Sequence, residues 1–204
     1  MAKIKKGKFI VLEGIDGAGV ETNGKLLTNY FQEKGVKVGR VYYPGYEGPI
    51  GQMLHNYLNG QFDLSVEVQF LIHLSDFMKD KEKINGWLRE GKTVIADRYF
   101  SSTLAYQSIK GFKIQKALEI AGILELPAPD LIIHINVSPK TSMMRKLEEN
   151  NRLDRNESDE KLLKTVGDLY KKLAKKDVFA KWIMVDGEKK IEEVFEEIKL
   201  KAKF

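Results

Sequence analysis

The chain has no cysteine in 204 residues, which excludes disulfides, thiolate catalysis and cysteine-ligated zinc. It also has no apolar run near the ~20 residues needed to span a bilayer, and Met1-Ala2-Lys3 leads into no signal-peptide core. The sequence therefore reads as cytoplasmic, with no membrane partner. Nor is either sign of charge in strong excess: 34 Lys+Arg stand against 29 Asp+Glu, a net charge of +5. Basic residues scattered among acids suit an anionic small-molecule ligand and do not make a nucleic-acid surface. The start, Lys3-Ile4-Lys5-Lys6, reads as a solvated tail. There is no internal repeat and no low-complexity segment. The length suits one domain with insertions better than two, spanning residues 1–204.

Apolar strand-like runs alternate with longer helical patterns, which predicts a three-layer α/β domain on a mostly parallel sheet. Strands are expected near Lys8–Leu12, Val36–Tyr42, Thr93–Asp97, Asp130–Val137 and Trp182–Asp186. Helices are expected near Gly19–Lys34, Ile50–Leu58, Val66–Glu90, Ser101–Leu124, Lys140–Asn150, Asp159–Lys176 and Lys189–Lys201. Charge and Asn concentrate between residues 148 and 159 while apolar residues nearly vanish, the pattern of a lid or a long exposed loop.

One further absence is local. Gly14-Ile15-Asp16-Gly17-Ala18-Gly19 follows the apolar run Phe9–Leu12 and opens an amphipathic stretch, the setting of a phosphate-binding loop between strand and helix. Such a loop normally continues with a lysine for the outer phosphates and a hydroxyl for Mg²⁺. Here Val20 and Glu21 follow, then Thr22. The glycine frame still lets backbone N–H groups and a helix N-terminus cradle an anion. A carboxylate close to a phosphate, at an effective dielectric of ~20, is repelled by a few kcal/mol. Glu21 must therefore share a metal with the nucleotide or turn away. A later register, Gly19 to Leu26, restores Gly24-Lys25 but would put the loop inside the helix.

Ligands of open α/β sheets bind beyond the carboxyl ends of the strands. Three more groups fall there. Tyr42-Tyr43-Pro44-Gly45-Tyr46-Glu47-Gly48-Pro49 is an aromatic loop that cannot be helical, able to wall a base or simply to pack. Asp97-Arg98-Tyr99 puts a guanidinium suited to bidentate phosphate binding beside an acid suited to a metal-bound water or a sugar hydroxyl. Arg145, Arg152, Asp154 and Arg155 surround the lid-like stretch, where closing arginines bring charge to a transferring phosphoryl group and keep water out.

In order and spacing these pieces resemble the thymidylate kinases, of the nucleoside monophosphate kinase group, over nearly the full length. The matching segments run from Leu12-Glu13-Gly14 through Tyr43-Pro44-Gly45 and Asp97-Arg98-Tyr99 with Ser102, Ala105, Tyr106 and Gln107. They continue to Asp154-Arg155 with Glu157, Tyr170, and Val185-Asp186. The resemblance implies a P-loop kinase fold with a five-stranded parallel sheet and a lid, transfer of the ATP γ-phosphate to dTMP with Mg²⁺, and a homodimer. It implies that Gly14 to Gly19, with Val20, Glu21, Thr22 and Arg145, hold the donor. Asp16 would approach the acceptor, Arg98 would bind the acceptor phosphate, and Asp97, with Glu21 or Thr22, would serve the metal. Tyr43, Pro44, His73, Phe77, Ser102, Tyr106 and Gln107 would line the nucleoside pocket. No loop position carries an arginine, so the lid would supply it: Arg152 and Arg155 would be catalytic together with Asp16, Asp97 and Arg98.

The sequence departs from the family at several places. Val20 and Glu21 replace the loop lysine and hydroxyl. Phe77 falls where a base-reading arginine is usual, His73 where a stacking phenylalanine is, and Tyr42 where an arginine commonly precedes the proline. Two alternatives remain open at this point: a kinase for another nucleoside monophosphate, or a nucleotide-binding P-loop protein with weak or lost catalysis.

Overall fold

The computed structural model describes residues 6–150 and 152–202. Lys3 to Lys5 of the basic start and Asn151 of the lid-like stretch lie outside the described residues. The chain runs β1 (Phe9–Glu13), α1 (Val20–Glu33), β2 (Val38–Tyr42), α2 (Pro49–Leu58), α3 (Val66–Met78), α4 (Lys81–Arg89), β3 (Thr93–Asp97) and α5 (Phe100–Ile109). It continues with α6 (Ile114–Ile123), β4 (Leu131–Asn136), α7 (Pro139–Asn150), α8 (Glu160–Lys175), β5 (Trp182–Asp186) and α9 (Ile191–Ala202). All four strand pairings are parallel, in the order β2-β3-β1-β4-β5. This is the five-stranded P-loop kinase architecture that the sequence predicts.

Every residue of β1 and β3 is buried. That is why both carry continuous apolar stretches, Phe9–Leu12 and Val94–Ala96, rather than alternating ones: helices cover the two faces of a parallel sheet. The register sets Leu12 beside Asp97, Asp97 beside Tyr42, and Glu13 beside His134. The ends of four strands thus meet at one edge. The chain leaves β1 toward β2 on one side and later returns to β4 on the other, so the crevice between them opens at that edge.

Two helices predicted as continuous are broken. Residues 66–90 form α3 and α4, separated at Lys79 and Asp80. There the backbone is held by tertiary contacts invisible to periodicity: Asp76 accepts from the Gly45 N–H at 2.9 Å and Asp80 from the Tyr43 hydroxyl at 3.2 Å. Residues 101–124 are divided between α5 and α6 by Gly111, at φ 103°. A left-handed glycine ends a helix because an L side chain resists that conformation.

His134 of β4 is buried and stacks on Tyr170 at 4.8 Å. Burial lowers its pKa from 6.5 to about 4. A histidine whose folded pKa lies below its unfolded value contributes stability that is present above pH 6.5 and is lost as pH falls toward 4. Unfolding by urea at pH 5 is expected to need about 2 kcal/mol less than at pH 7 on account of this one group. His134→Phe should remove that part of the pH dependence.

Candidate functional site

Residues 14–19 join β1 to α1 as a tight loop in which Gly17 and Gly19 take φ of 71° and 86°. A Cβ on Gly17 would lie 2.6 Å from the Ser142 carbonyl oxygen, so α7 presses directly on the loop. Ser142 Oγ donates to the Asp16 carbonyl at 2.5 Å, and Arg145 donates to the carbonyls of Gly17 at 3.4 Å and Gly187 at 3.0 Å. Gly19 caps α1 without any side-chain hydrogen bond. The first-turn N–H groups of α1 therefore have no capping side chain, the condition under which a helix N-terminus takes an anion.

The second wall is built on Glu13. Fully buried at the end of β1, its carboxylate accepts from Tyr99 N–H at 3.0 Å, Ser101 hydroxyl at 2.6 Å, Ser102 N–H at 3.0 Å, Ser102 hydroxyl at 2.6 Å and Tyr170 hydroxyl at 2.9 Å. Burial pushes its pKa up, while Arg98 and the hydroxyl donors oppose the rise. This network ties the start of α5 to the phosphate loop and holds Arg98 between them at φ 62°. A non-glycine residue there stores strain that only a well-tied surrounding maintains. The result is aim. Arg98 donates to the Gly14 carbonyl and to Asp16 Oδ1, both at 2.6 Å, and Tyr106 donates to Asp16 Oδ2 at 3.1 Å.

A cleft of about 950 Å³ runs from the loop past Arg98 to an aromatic end. Tyr43, Pro44, His73, Phe77, Ser102, Tyr106 and Gln107 all line it, as do residues 15–22 and Arg145. Phe77 is itself nearly buried, edge-on to Tyr43 at 4.9 Å and tilted against Tyr99 at 5.1 Å. It thus completes an aromatic wall where a polar reader would otherwise sit. His73 is neutral near pH 7, since burial lowers its pKa to about 4. Gln107 Oε1 and Thr103 Oγ1 are buried with no protein partner. Orphaned polar atoms in a cleft wall are the groups a ligand would satisfy.

The arginines of the lid-like stretch stand apart. Arg152 donates to Asn59 Oδ1 at 2.6 Å, and Arg155 pairs with Asp63 at 2.7 Å and sits 4.6 Å from the Tyr57 ring centre. Neither lines the cleft, whereas their neighbours Asp154, Asn156 and Glu157 do.

A backbone anion cradle, an arginine braced against it and a deep aromatic pocket in one cleft match what comparison with known proteins gives. A family model described as Thymidylate kinase matches residues 12–198. The chain belongs to the thymidylate kinase family. It is 32% identical to the thymidylate kinase of Plasmodium falciparum (isolate 3D7) over 95% of this chain and 89% of that protein. It is 33% identical to the probable thymidylate kinase of Thermococcus gammatolerans, covering 94% of each. With the thymidylate kinase of Carboxydothermus hydrogenoformans it shares 33% identity over 95% of this chain and 96% of that one.

Thymidylate kinases carry Mg²⁺ with ATP, and the residues here meet that requirement in part. Among the described residues no group of three or more acids and histidines could hold a metal alone, so the ion must bring ligands with it on the phosphates. Asp97 Oδ1 is buried without a protein partner, and both Asp97 and Thr22 line the cleft. These two suit such an ion. The Glu21 carboxylate pairs with Lys25 at 2.5 Å, and that pair holds its pKa down.

Family-pattern reasoning missed Thr103, Lys110 and Arg40, all of which line the cleft. Thr103 lies one helical turn before Gln107, so periodicity alone would have placed it on the same face. Arg40 shares the face of β2 with Tyr42 by strand alternation. Nothing in the sequence marks Lys110, which the fold brings to Gln69 at 2.9 Å and the Tyr57 hydroxyl at 3.2 Å.

Proposed function

We propose that this protein transfers the γ-phosphoryl group of ATP to dTMP, giving dTDP and ADP. The observation that carries the reading is Arg98, a cation fixed between the phosphate loop and the nucleoside pocket, where an acceptor phosphate must lie to meet a donor held by the loop. Backbone N–H groups of residues 17–22 hold the donor phosphates. Arg98 exchanges part of its bond to Asp16 for the dTMP phosphate. Tyr106, Gln107 and Thr103 take the nucleoside against the aromatic wall of Tyr43 and Phe77, with Pro44, His73 and Ser102 around it. Mg²⁺ bound to the nucleotide neutralises charge on the β and γ oxygens, and Asp97 with Thr22 would hold it.

The stretch 148–159, whose first residues belong to the end of α7, acts as a lid on the single kinase domain. Its closure carries Arg155 and Arg152 from Asp63 and Asn59 to the transferring group, assisted by Arg145, which already touches the loop. Either Arg155→Ala or Arg152→Ala is expected to lower kcat by at least about 10²-fold, the usual loss when a transition-state donor is removed. Single-turnover rates near the parent value for both variants and for the double variant would overturn the lid assignment. The protein works in the cytoplasm as a homodimer, a state supported by family likeness and by Val68 and Leu71, which α3 leaves exposed.

A coupled assay with ATP, Mg²⁺ and each nucleoside monophosphate tests the reading. The expected result is turnover with dTMP well above the others; turnover favouring another acceptor, or none at all, overturns it. The relatives named above are all thymidylate kinases or probable ones, and the retained Asp97, Arg98 and lid arginines weigh against the loss of catalysis that the altered loop suggests.

A further inference from the structure

The phosphate loop lacks its cation, yet three arginines line the cleft among the described residues: Arg40, Arg98 and Arg145. Two of them are committed. Arg98 is held by the Gly14 carbonyl and Asp16, and Arg145 by the carbonyls of Gly17 and Gly187. Lys25, the nearest lysine in sequence, is exposed and paired with Glu21. Val20, where the lysine would be, is 7% exposed and packs into the core, so its own position offers the phosphates nothing.

Arg40 differs from all of these. It projects from β2 against the first turn of α1, donating Nη2 to the Glu21 carbonyl at 3.2 Å and pairing with Asp97. Its Nε–H is buried without any partner. The place is built to receive the pair: a Cβ on Gly24 would lie 2.0 Å from Asp97 Oδ1, so the carboxylate seats against α1 only because residue 24 is glycine. A guanidinium has five donors in a fixed fork. Arg40 uses few of them on protein groups, and its anionic partner is the acid suited to the metal.

We propose that Arg40 is the cation that replaces the missing phosphate-loop lysine, binding the outer phosphates of ATP from β2. This rests on the kinase reading above and adds a residue to it. Arriving phosphates draw the guanidinium from Asp97, so one anion is exchanged for another and the arginine is never left buried and unpaired. The same exchange frees the Asp97 carboxylate. Glu21, turned to Lys25, does not oppose it.

The test is calorimetric titration of Mg·ATP, Mg·ADP, AMP and dTMP into the parent and Arg40→Ala, with a second variant in which Val20→Lys is added to Arg40→Ala. A charged hydrogen-bonded contact corresponds to roughly 10- to 100-fold in affinity. Arg40→Ala is expected to weaken ATP and ADP by that factor and to leave AMP and dTMP within about twofold, since neither carries a donor β-phosphate. Adding the lysine at position 20 should recover most of the loss. Arg40→Gln, which keeps amide donors for Asp97 and the Glu21 carbonyl, gives the same reading should the alanine variant not fold. Unchanged ATP affinity overturns the proposal, as does equal weakening of AMP, which would mean a purely structural role, or weakening of dTMP alone, which would place Arg40 at the acceptor. The kinase reading stands or falls separately: a parent that turns over dTMP while Arg40→Ala binds ATP normally refutes only Arg40, and a parent that binds ATP without turning over dTMP refutes only the acceptor.

Discussion

Arg98→Ala is expected to raise the KM for dTMP by about 10²-fold while changing the KM for ATP far less. A bidentate contact between a guanidinium and a phosphate contributes up to about 3 kcal/mol, and one made already in the ground state appears mostly in KM. The loss here has a second source. Asp16 would keep its negative charge beside the acceptor phosphate after Arg98, its partner at 2.6 Å, is gone. Repulsion is thus added to the missing attraction. Arg98→Lys should recover only part, because a point charge cannot span both the Gly14 carbonyl and Asp16 while also gripping a phosphate. Steady-state kinetics with each substrate varied in turn decides the matter: a variant that loses ATP affinity and keeps dTMP affinity shows that donor and acceptor ends have been reversed.

The largest effect on folding is expected from Glu13→Ala. Its carboxylate is the common acceptor for five donors from β3–α5 and α8: two backbone N–H groups, two serine hydroxyls and the Tyr170 phenol. Each buried donor left without an acceptor costs about 1–3 kcal/mol, and a small cavity adds to the total. Even with partial relaxation the sum reaches roughly 4 kcal/mol or more, a large share of the 5–15 kcal/mol that holds an ordinary domain together. Thermal and urea unfolding should show it directly. Glu13→Gln keeps one carbonyl acceptor and much of the shape, so it should fold and bind dTMP poorly, because the turn that aims Arg98 is slackened. A Glu13→Ala protein as stable as the parent would mean that water or a neighbouring acceptor satisfies those donors.

Much of this was written in the sequence because it depends on local chemistry. Parallel strands covered on both faces are mostly apolar along their length, so Phe9–Leu12 and Thr93–Asp97 could be read as strands, and Gly14 to Gly19 between strand and helix as an anion loop. Motif order placed the family, and with it Arg98, Tyr106 and Gln107 in one cleft. What the sequence could not determine is how charges from distant segments pair. Glu21 turns to Lys25, Arg40 reaches Asp97 across 57 residues of chain, and Asp76 and Asp80 break a helix that periodicity runs straight through. Phe77 reads as a lost base contact by position, yet the fold sets it edge-on to Tyr43 as part of an aromatic wall. Ion pairs form wherever the sheet register and helix packing bring side chains within a few ångströms, and neither distance along the chain nor residue type records that meeting. Identity of the loop was a matter of sequence; that Arg40 lies against the first turn of α1 was decided only when β2 was laid beside β3, two strands from the loop it follows.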